Sequence, residues 1–412
     1  MEQENPEPKT PAPEPLSGIT AAQAFQSATA AAGLKTSGFD LFLLQSQIPA
    51  VAAGVFTRNQ VKGAPVQICA EHLARPTVRG IITNSGNANC CTGNDGLGKA
   101  RQMCQIAAEK IGCLPEEILL CSTGIIGVPL PLKKIADKVP AMNWSRGVEA
   151  DLHAAQAIMT TDLVPKYFSA SAEIDGKTVT LGGMVKGSGM IGPDMGALPH
   201  ATMLAFLTTD AVIEKVLLQQ LLEDATDRSF NSVTVDGDTS SNDTCLLLAN
   251  GASGAVIDQN NKHLFVDLLQ NVCTTLAKKV AADGEGATHL IEIQVNGAAS
   301  EADARQIAMT VANSPLVKTA IFGGDPNWGR VAVAAGRAGV NFDQAALSIK
   351  LGDIDVLRHG ELIAFDEAAA AAQLKPFDVT IAMDVGNGES SWKAWTCDYS
   401  YDYIKINAEY HT

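Results

Sequence analysis

The stretch that most constrains this chain covers residues 186–210, KGSGMIGPDMGALPHATMLAFLTTD. A glycine-rich loop leads into an apolar run. Between them sits Ala201-Thr202, a small residue followed by a hydroxyl residue. Such a bond can be cut by its own side chain. The threonine Oγ attacks the preceding carbonyl, the peptide becomes an ester, and water releases it. The new chain then begins with Thr202, which carries a nucleophile and a free α-amine on one residue. An α-amine titrates at about 7.7–8.0, so near neutral pH part of it is unprotonated and serves as base for its own hydroxyl. Read this way, the chain is an acyl-transfer enzyme that matures by cutting itself.

The surrounding pattern is that of a large mixed domain. The chain has 412 residues, enough for two or three domains and a sizeable core. Apolar spacing predicts helices over 97–111, 148–159, 211–222, 263–282 and 301–313. It predicts strands over 79–83, 118–121, 232–235, 245–248, 289–295, 378–383 and 391–397, with 118–121 running into a Ser-Thr-Gly turn. Strands over 167–174 and 177–181 flank Asp175-Gly176, a two-residue hairpin signal. The class is α/β or α+β with mixed sheets, and no Pro/Ser linker divides the chain. Residues 1–16 are rich in Pro and Glu and are expected to be a disordered acidic tail. A net charge of −15 argues against nucleic acid and against an anionic membrane surface as partners. No secretory signal and no transmembrane run is evident, so a cytoplasmic protein is expected. The nine cysteines form no Cys-x-x-Cys pair and read as buried or half-buried reduced thiols, with no metal site.

Several short motifs have both a chemical and a structural reading. Residues 187–192 match G-x-G-x-x-G, but Pro193, Asp194 and Gly196 follow where a phosphate-binding helix would have to open. The glycines are better read as a loop passing close to something. Lys186 at its head is either a solvated lysine or the holder of a substrate carboxylate. Ser122-Thr123-Gly124 is either a plain turn or an oxyanion hole built from a threonine hydroxyl and an unshielded glycine N–H. Residues 236–243 are dense in oxygen ligands but lack the calcium-loop spacing, which favours a hydrogen-bonded turn. Residues 325–330, with one Trp, read as a structural corner. Glu285, flanked by Gly284 and Gly286, meets either a substrate ammonium or water.

Together these segments resemble the ornithine acetyltransferases of arginine biosynthesis, also called glutamate N-acetyltransferases. The resemblance runs from about Gly33 to Thr412. It rests on the strings GVFTRN at 54–59, NSGNAN at 84–89, MTTD at 159–162, VDGDT at 235–239, GGDPNWGR at 323–330 and NAEY at 407–410. It implies the α/β, two-domain mixed-sheet fold of that family and of the DmpA-like aminopeptidases. It implies cleavage at Ala201-Thr202, with an α chain ending at residue 201, a β chain over 202–412, and an α2β2 heterotetramer. By the same resemblance Thr202 is the nucleophile, and Thr123 and Gly124 form the oxyanion hole. Thr161 (or its neighbour Thr160), Lys186, Glu285, Asn407 and the terminal Thr412 bind the amino acid. The implied reaction passes acetyl from N-acetylornithine to Thr202 and on to glutamate. No cofactor is implied, and acetyl-CoA is a possible second donor.

One departure stands out. The family spacing puts Ala-Thr directly after the Pro-x-Met methionine, whereas here Gly196-Ala197-Leu198-Pro199-His200 intervenes. Self-cleavage needs near-attack geometry at one bond, so a longer loop is expected to slow processing. The alternatives are an amidohydrolase or aminopeptidase of the same fold, and an uncleaved paralogue that only binds amino acids.

Overall fold

The structure, a computed structural model, describes residues 17–196 and 203–409. The acidic tail, the Ala201-Thr202 bond, most of the inserted loop and Thr412 lie outside the described residues.

Two mixed sheets carry the molecule. The first is built on β1 (Leu41–Thr57), β2 (Val78–Asn87), β3 (Ile118–Ile125), β4 (Lys166–Ile174), β5 (Lys177–Lys186), β6 (Leu204–Thr209) and β7 (Thr244–Ala249). Their spatial order is β3-β2-β1-β7-β6-β5-β4, and Phe25–Ala30 and Met195–Gly196 also pair with β1. All six residues of β6 are buried. The reason is that both faces of the sheet are covered, which turns an alternating strand into a continuous apolar run. Leu204 and Phe206 point into one core, shared with α1 (Ala64–His72), α2 (Gly93–Ile111) and α3 (Val148–Ile158). Met203, Ala205 and Leu207 point into the other, shared with α4 (Lys215–Asp227) and α5 (Lys262–Ala282).

The second sheet contains β8 (Leu290–Ala298), β9 (Ser348–Leu351), β10 (Ile354–Arg358), β11 (Asp378–Asp384) and β12 (Ser390–Cys397), in the order β12-β8-β11-β9-β10. It builds a third core with α6 (Glu301–Ala312), α7 (Pro315–Phe322) and α8 (Trp328–Gly336). Trp395 and Cys397 of β12 belong to the same core as α5, so that helix is packed between the two sheets. The candidate site draws its residues from the ends of β3 and β5 and from the loop that leaves α5.

Several expectations need correction. Ser122-Thr123-Gly124 is not a turn but the continuation of β3. The helix expected over 211–222 starts at Lys215, because the Glu214 side chain accepts the N–H groups of Val216 and Leu217 and caps it there. Upstream, the β-branched Val212 and Ile213 pair with Val256 and Ile257 instead. The Asp-Pro-Asn-Trp corner opens α8, with the Asn327 side chain accepting the Arg330 N–H. The hairpin forms over 166–174 and 177–186, and Asp175 and Gly176 both take positive φ (50° and 71°). All nine cysteines are free, but Cys91 is exposed rather than buried. Among the described residues no helix is long and apolar enough to cross a membrane.

Candidate active site

The site begins where β3 meets β2. Thr123 lies opposite Ser85 and Gly124 opposite Gly86. Gly124 has φ +128°, and a Cβ there would sit 2.4 Å from the Gly86 carbonyl carbon. Only glycine allows this approach. Asn242 ties this corner to the loop over 236–243: its Nδ2 donates to the carbonyls of Ala88 (2.5 Å) and Ser122 (2.9 Å).

Lys186 is the last residue of β5, almost wholly buried and opposite Leu204 at the start of β6. The glycine loop then folds under Glu285. The Glu285 N–H donates to the Ser188 carbonyl (3.0 Å), and the Ser188 hydroxyl donates to the Asp283 carbonyl (2.6 Å). A Cβ on Gly189 would lie 2.3 Å from the Glu285 carboxyl carbon, which explains why glycine stands there. Glu285 is 7% exposed, and its carboxylate accepts a hydrogen bond from Asn407 on the helix Tyr401–Glu409 (2.9 Å). The Asp236 carboxylate accepts the Met190 and Ile191 N–H groups (2.7 and 2.9 Å) and closes the loop from the other side. Burial pushes the Asp236 carboxyl up to about 6 against those hydrogen bonds.

Beneath the loop lies a buried charge cluster. The Lys166 ammonium contacts Asp162 at 2.6 Å and Asp283 at 2.5 Å, and Lys166 is 1% exposed. Asp162 also accepts the N–H groups of Thr160 (2.9 Å) and Gly187 (2.7 Å), and Asp283 accepts that of Leu163 (3.1 Å). Three segments are thereby locked together: the Thr160-Thr161 loop, the glycine loop after Lys186, and the turn that carries Glu285. Burial would raise the Asp162 carboxyl, but the Lys186 and Lys166 ammonium groups outweigh it and hold it well below the carboxylate range. Asp283 shares only Lys166 and faces the Asp162 charge, so burial pushes it up. Asp162 is therefore the member that keeps its charge most firmly.

These pieces enclose a cavity of about 300 Å³. Thr123, Gly124, Thr160 and Thr161 line one part of it. Lys186, Glu285 and Asn407 line another. Ala88, Ser240 and Ser241 also reach it, although the sequence suggested Ala88 only as part of the NSGNAN string and the two serines only as part of a hydrogen-bonded turn over 236–243. Ala201, Thr202 and Thr412 lie outside the described residues. Met203 is described: its carbonyl accepts the Thr244 N–H at 2.8 Å, which fixes where the chain enters the first sheet. Among the described residues no group of three or more His, Cys, Asp or Glu side chains is arranged to hold a metal ion.

An ammonium and a carboxylate facing one small cavity are complementary to an amino acid, which carries both opposite charges. Threonine hydroxyls and a glycine N–H beside them suit a developing oxyanion. Such a lining suits an acyltransferase that handles amino acids. Residues 26–412 match the model of the ArgJ family, and the chain belongs to that family. The arginine biosynthesis bifunctional protein ArgJ of Thermosynechococcus vestitus is 48% identical over 415 residues, covering 96% of this chain and 98% of its own. The protein of the same description from Symbiobacterium thermophilum is 48% identical over 401 residues, with the same coverage. The crystal structure of an ArgJ bifunctional protein from Bacillus halodurans aligns with 42% identity and a TM-score of 0.48, covering 49% of this chain and 97% of that one. The chain is thus an acetyltransferase of arginine biosynthesis.

Proposed function

We propose that the cavity transfers acetyl from N-acetylornithine to glutamate through Thr202, after cleavage of the Ala201-Thr202 bond. The observation that carries this reading is the convergence of Lys186, Glu285, Thr123 and Gly124 on one amino-acid-sized cavity. Lys186 faces the substrate carboxylate, Glu285 with Asn407 faces its ammonium, and Thr161 adds a hydroxyl. The Thr202 α-amine takes the Oγ proton as Oγ attacks the acetyl carbonyl. Thr123 and Gly124 donate to the oxyanion. Ornithine leaves with that proton on its amine, and the acetyl group stays as an ester on Thr202. The glutamate amine then attacks the ester and regenerates the hydroxyl. The description of the relatives as bifunctional supports acetyl-CoA as a second donor to the same threonine. The assembly we infer is an α2β2 heterotetramer of chains 1–201 and 202–412.

The test is acetyl transfer by the purified protein, with intact mass measured under denaturing conditions. The reading expects two chains divided at Ala201-Thr202, multiple-turnover ornithine release that depends on glutamate, and, when glutamate is withheld, an acetyl adduct on the β chain with no more than one equivalent of ornithine released. Multiple-turnover ornithine release without glutamate would point to a hydrolase. An uncut, inactive chain would remove Thr202 from the mechanism. Native mass of the cut protein decides the assembly.

A further inference from the structure

Lys318, on α7, is an almost wholly buried lysine that the scheme above leaves unused. Lysine is almost never fully buried unless it is paired with an opposite charge. The groups that hold this one are neutral. Its ammonium donates to the Thr396 hydroxyl (2.6 Å) and to the Cys397 carbonyl, at the end of β12. It also lies 4.6 Å from the centre of the Tyr399 ring, within cation–π range. Burial works against its charge and lowers its pKa. A cation kept in such a place requires an explanation.

What Tyr399 leads to supplies one. Its ring stacks on that of Tyr403, with centroids 4.8 Å apart. The Tyr403 carbonyl accepts a hydrogen bond from Asn407 Nδ2 (3.0 Å), and the same nitrogen donates to the Glu285 carboxylate (2.9 Å). The helix Tyr401–Glu409, which carries Tyr403 and Asn407, buries none of its residues. No core fixes it, so its placement depends on the contacts at its start. There the Ser400 hydroxyl donates to the Gly286 carbonyl (2.6 Å), beside Glu285, and Phe322 meets the Tyr401 ring edge-on at 5.4 Å. Lys318 and Phe322 are four residues apart and so share one face of α7. That face grips the chain on both sides of Ser400. The corner at 325–330 in turn braces α7. Arg330 donates to the Leu316 carbonyl (2.8 Å), and the Asp325 N–H donates to that of Ala320 (2.9 Å).

We propose that Lys318 is a positioning residue for amino-acid binding. Through Tyr399 and Tyr403 it fixes the helix that brings Asn407 to Glu285, and the 325–330 corner keeps α7 where this requires it. Lys318 does not line the cavity and acts only through these groups. The inference rests on the reading that Glu285 and Asn407 bind the substrate ammonium.

The test is made first on Tyr399, which is only half-buried. Y399L removes the aromatic face and Y399F keeps it. In Y399L the KM for N-acetylornithine at saturating glutamate is expected to rise about 3- to 10-fold, the scale of one cation–π contact, with kcat changed less than about 2-fold. Y399F should keep both constants near their native values. K318M should raise KM to a similar degree, and combining it with Y399L should add little, because both break one contact. Y403L breaks the same path one step later and carries the test if Y399L does not fold. Hydrogen exchange over 401–409 should be faster in Y399L, with β8 unaffected. A merely structural role would lower the amount of active enzyme, and so kcat, without moving KM. An unmoved KM in Y399L, equal losses in Y399L and Y399F, or full additivity with K318M overturns the proposal. N407A is measured alongside. If it too leaves KM unmoved, the reading of Asn407 as a binding residue fails and this inference fails with it. If N407A raises KM and Y399L does not, only the inference fails.

Discussion

Replacing Lys166 with methionine keeps the length of the side chain and removes its charge. Two carboxylates then lose the ammonium that they contact at 2.5 and 2.6 Å, in a place where Lys166 is 1% exposed. Breaking a buried ion pair from one side costs about 3–5 kcal/mol, because the remaining charge is left uncompensated. Whole-domain stability is typically ~5–15 kcal/mol, so K166M should shift the urea midpoint well outside error. The pH dependence has a definite sign. In the native protein the Asp162 pKa is depressed, so its contribution is full above the unfolded value of about 3.9 and is lost as pH falls toward the folded value. Without Lys166 the Asp162 pKa rises, and protonation relieves the buried charge. The gap between K166M and the native protein should therefore narrow as pH is lowered from 7 toward 4. Because Asp162 also holds the N–H groups of Thr160 and Gly187, KM for the amino acid should rise as well. Urea unfolding at several pH values, with KM measured alongside, is the assay. A loss below about 1 kcal/mol, the scale of an exposed pair, or a gap that ignores pH would refute the reasoning.

Three further outcomes are expected. G189A places a methyl group 2.3 Å from the Glu285 carboxyl carbon, so Glu285 must move; steady-state kinetics should show a raised KM with a smaller change in kcat. T123V removes a hydroxyl at the proposed oxyanion position, and kcat should fall on the order of 10²–10³-fold with the chain still folded by circular dichroism. Asp236, raised to about 6, makes a contribution to stability that is full below its unfolded pKa of about 3.9 and is lost as pH rises through the folded value; D236N should flatten the stability profile between those limits in thermal unfolding.

Local chemistry made some elements legible and hid others. The Asp175-Gly176 hairpin could be read because a two-residue turn needs two positive-φ residues, and few pairs supply them. β1 was missed because Gln-Ser-Gln-Ile-Pro at 45–49 reads as a loop. In the structure the strand continues through it, with a register shift against β2 between Gln45 and Ala50 that accommodates Pro49. The Ser-Thr-Gly segment has a turn composition, yet it stays extended because Gly86 on the facing strand leaves room for Gly124 to press against it. α1 and α7 both carry proline in their first turn and are short, so their apolar period has little length in which to declare itself.

The same reasoning separates the two halves of the site. Lys186 and Glu285 were visible because each borders glycines, and a charged residue held among glycines suggests that the backbone must approach a ligand or a neighbouring chain closely. Lys166 was invisible. In sequence it is a lysine between Pro165 and Tyr167, indistinguishable from a solvated residue, and its two carboxylates arrive from 162 and from 283. What makes Lys166 matter is burial, and burial here is produced by the packing of α5 against β4 and β5, which brings Asp283 at the helix end onto the strand that begins with Lys166. Residues that bind substrate have to remain reachable and so leave a local signature of glycines and hydroxyls. A residue that orients them can sit wherever the fold brings its partners together, and so the chemistry of this cavity is more legible in the sequence than the framework that holds it.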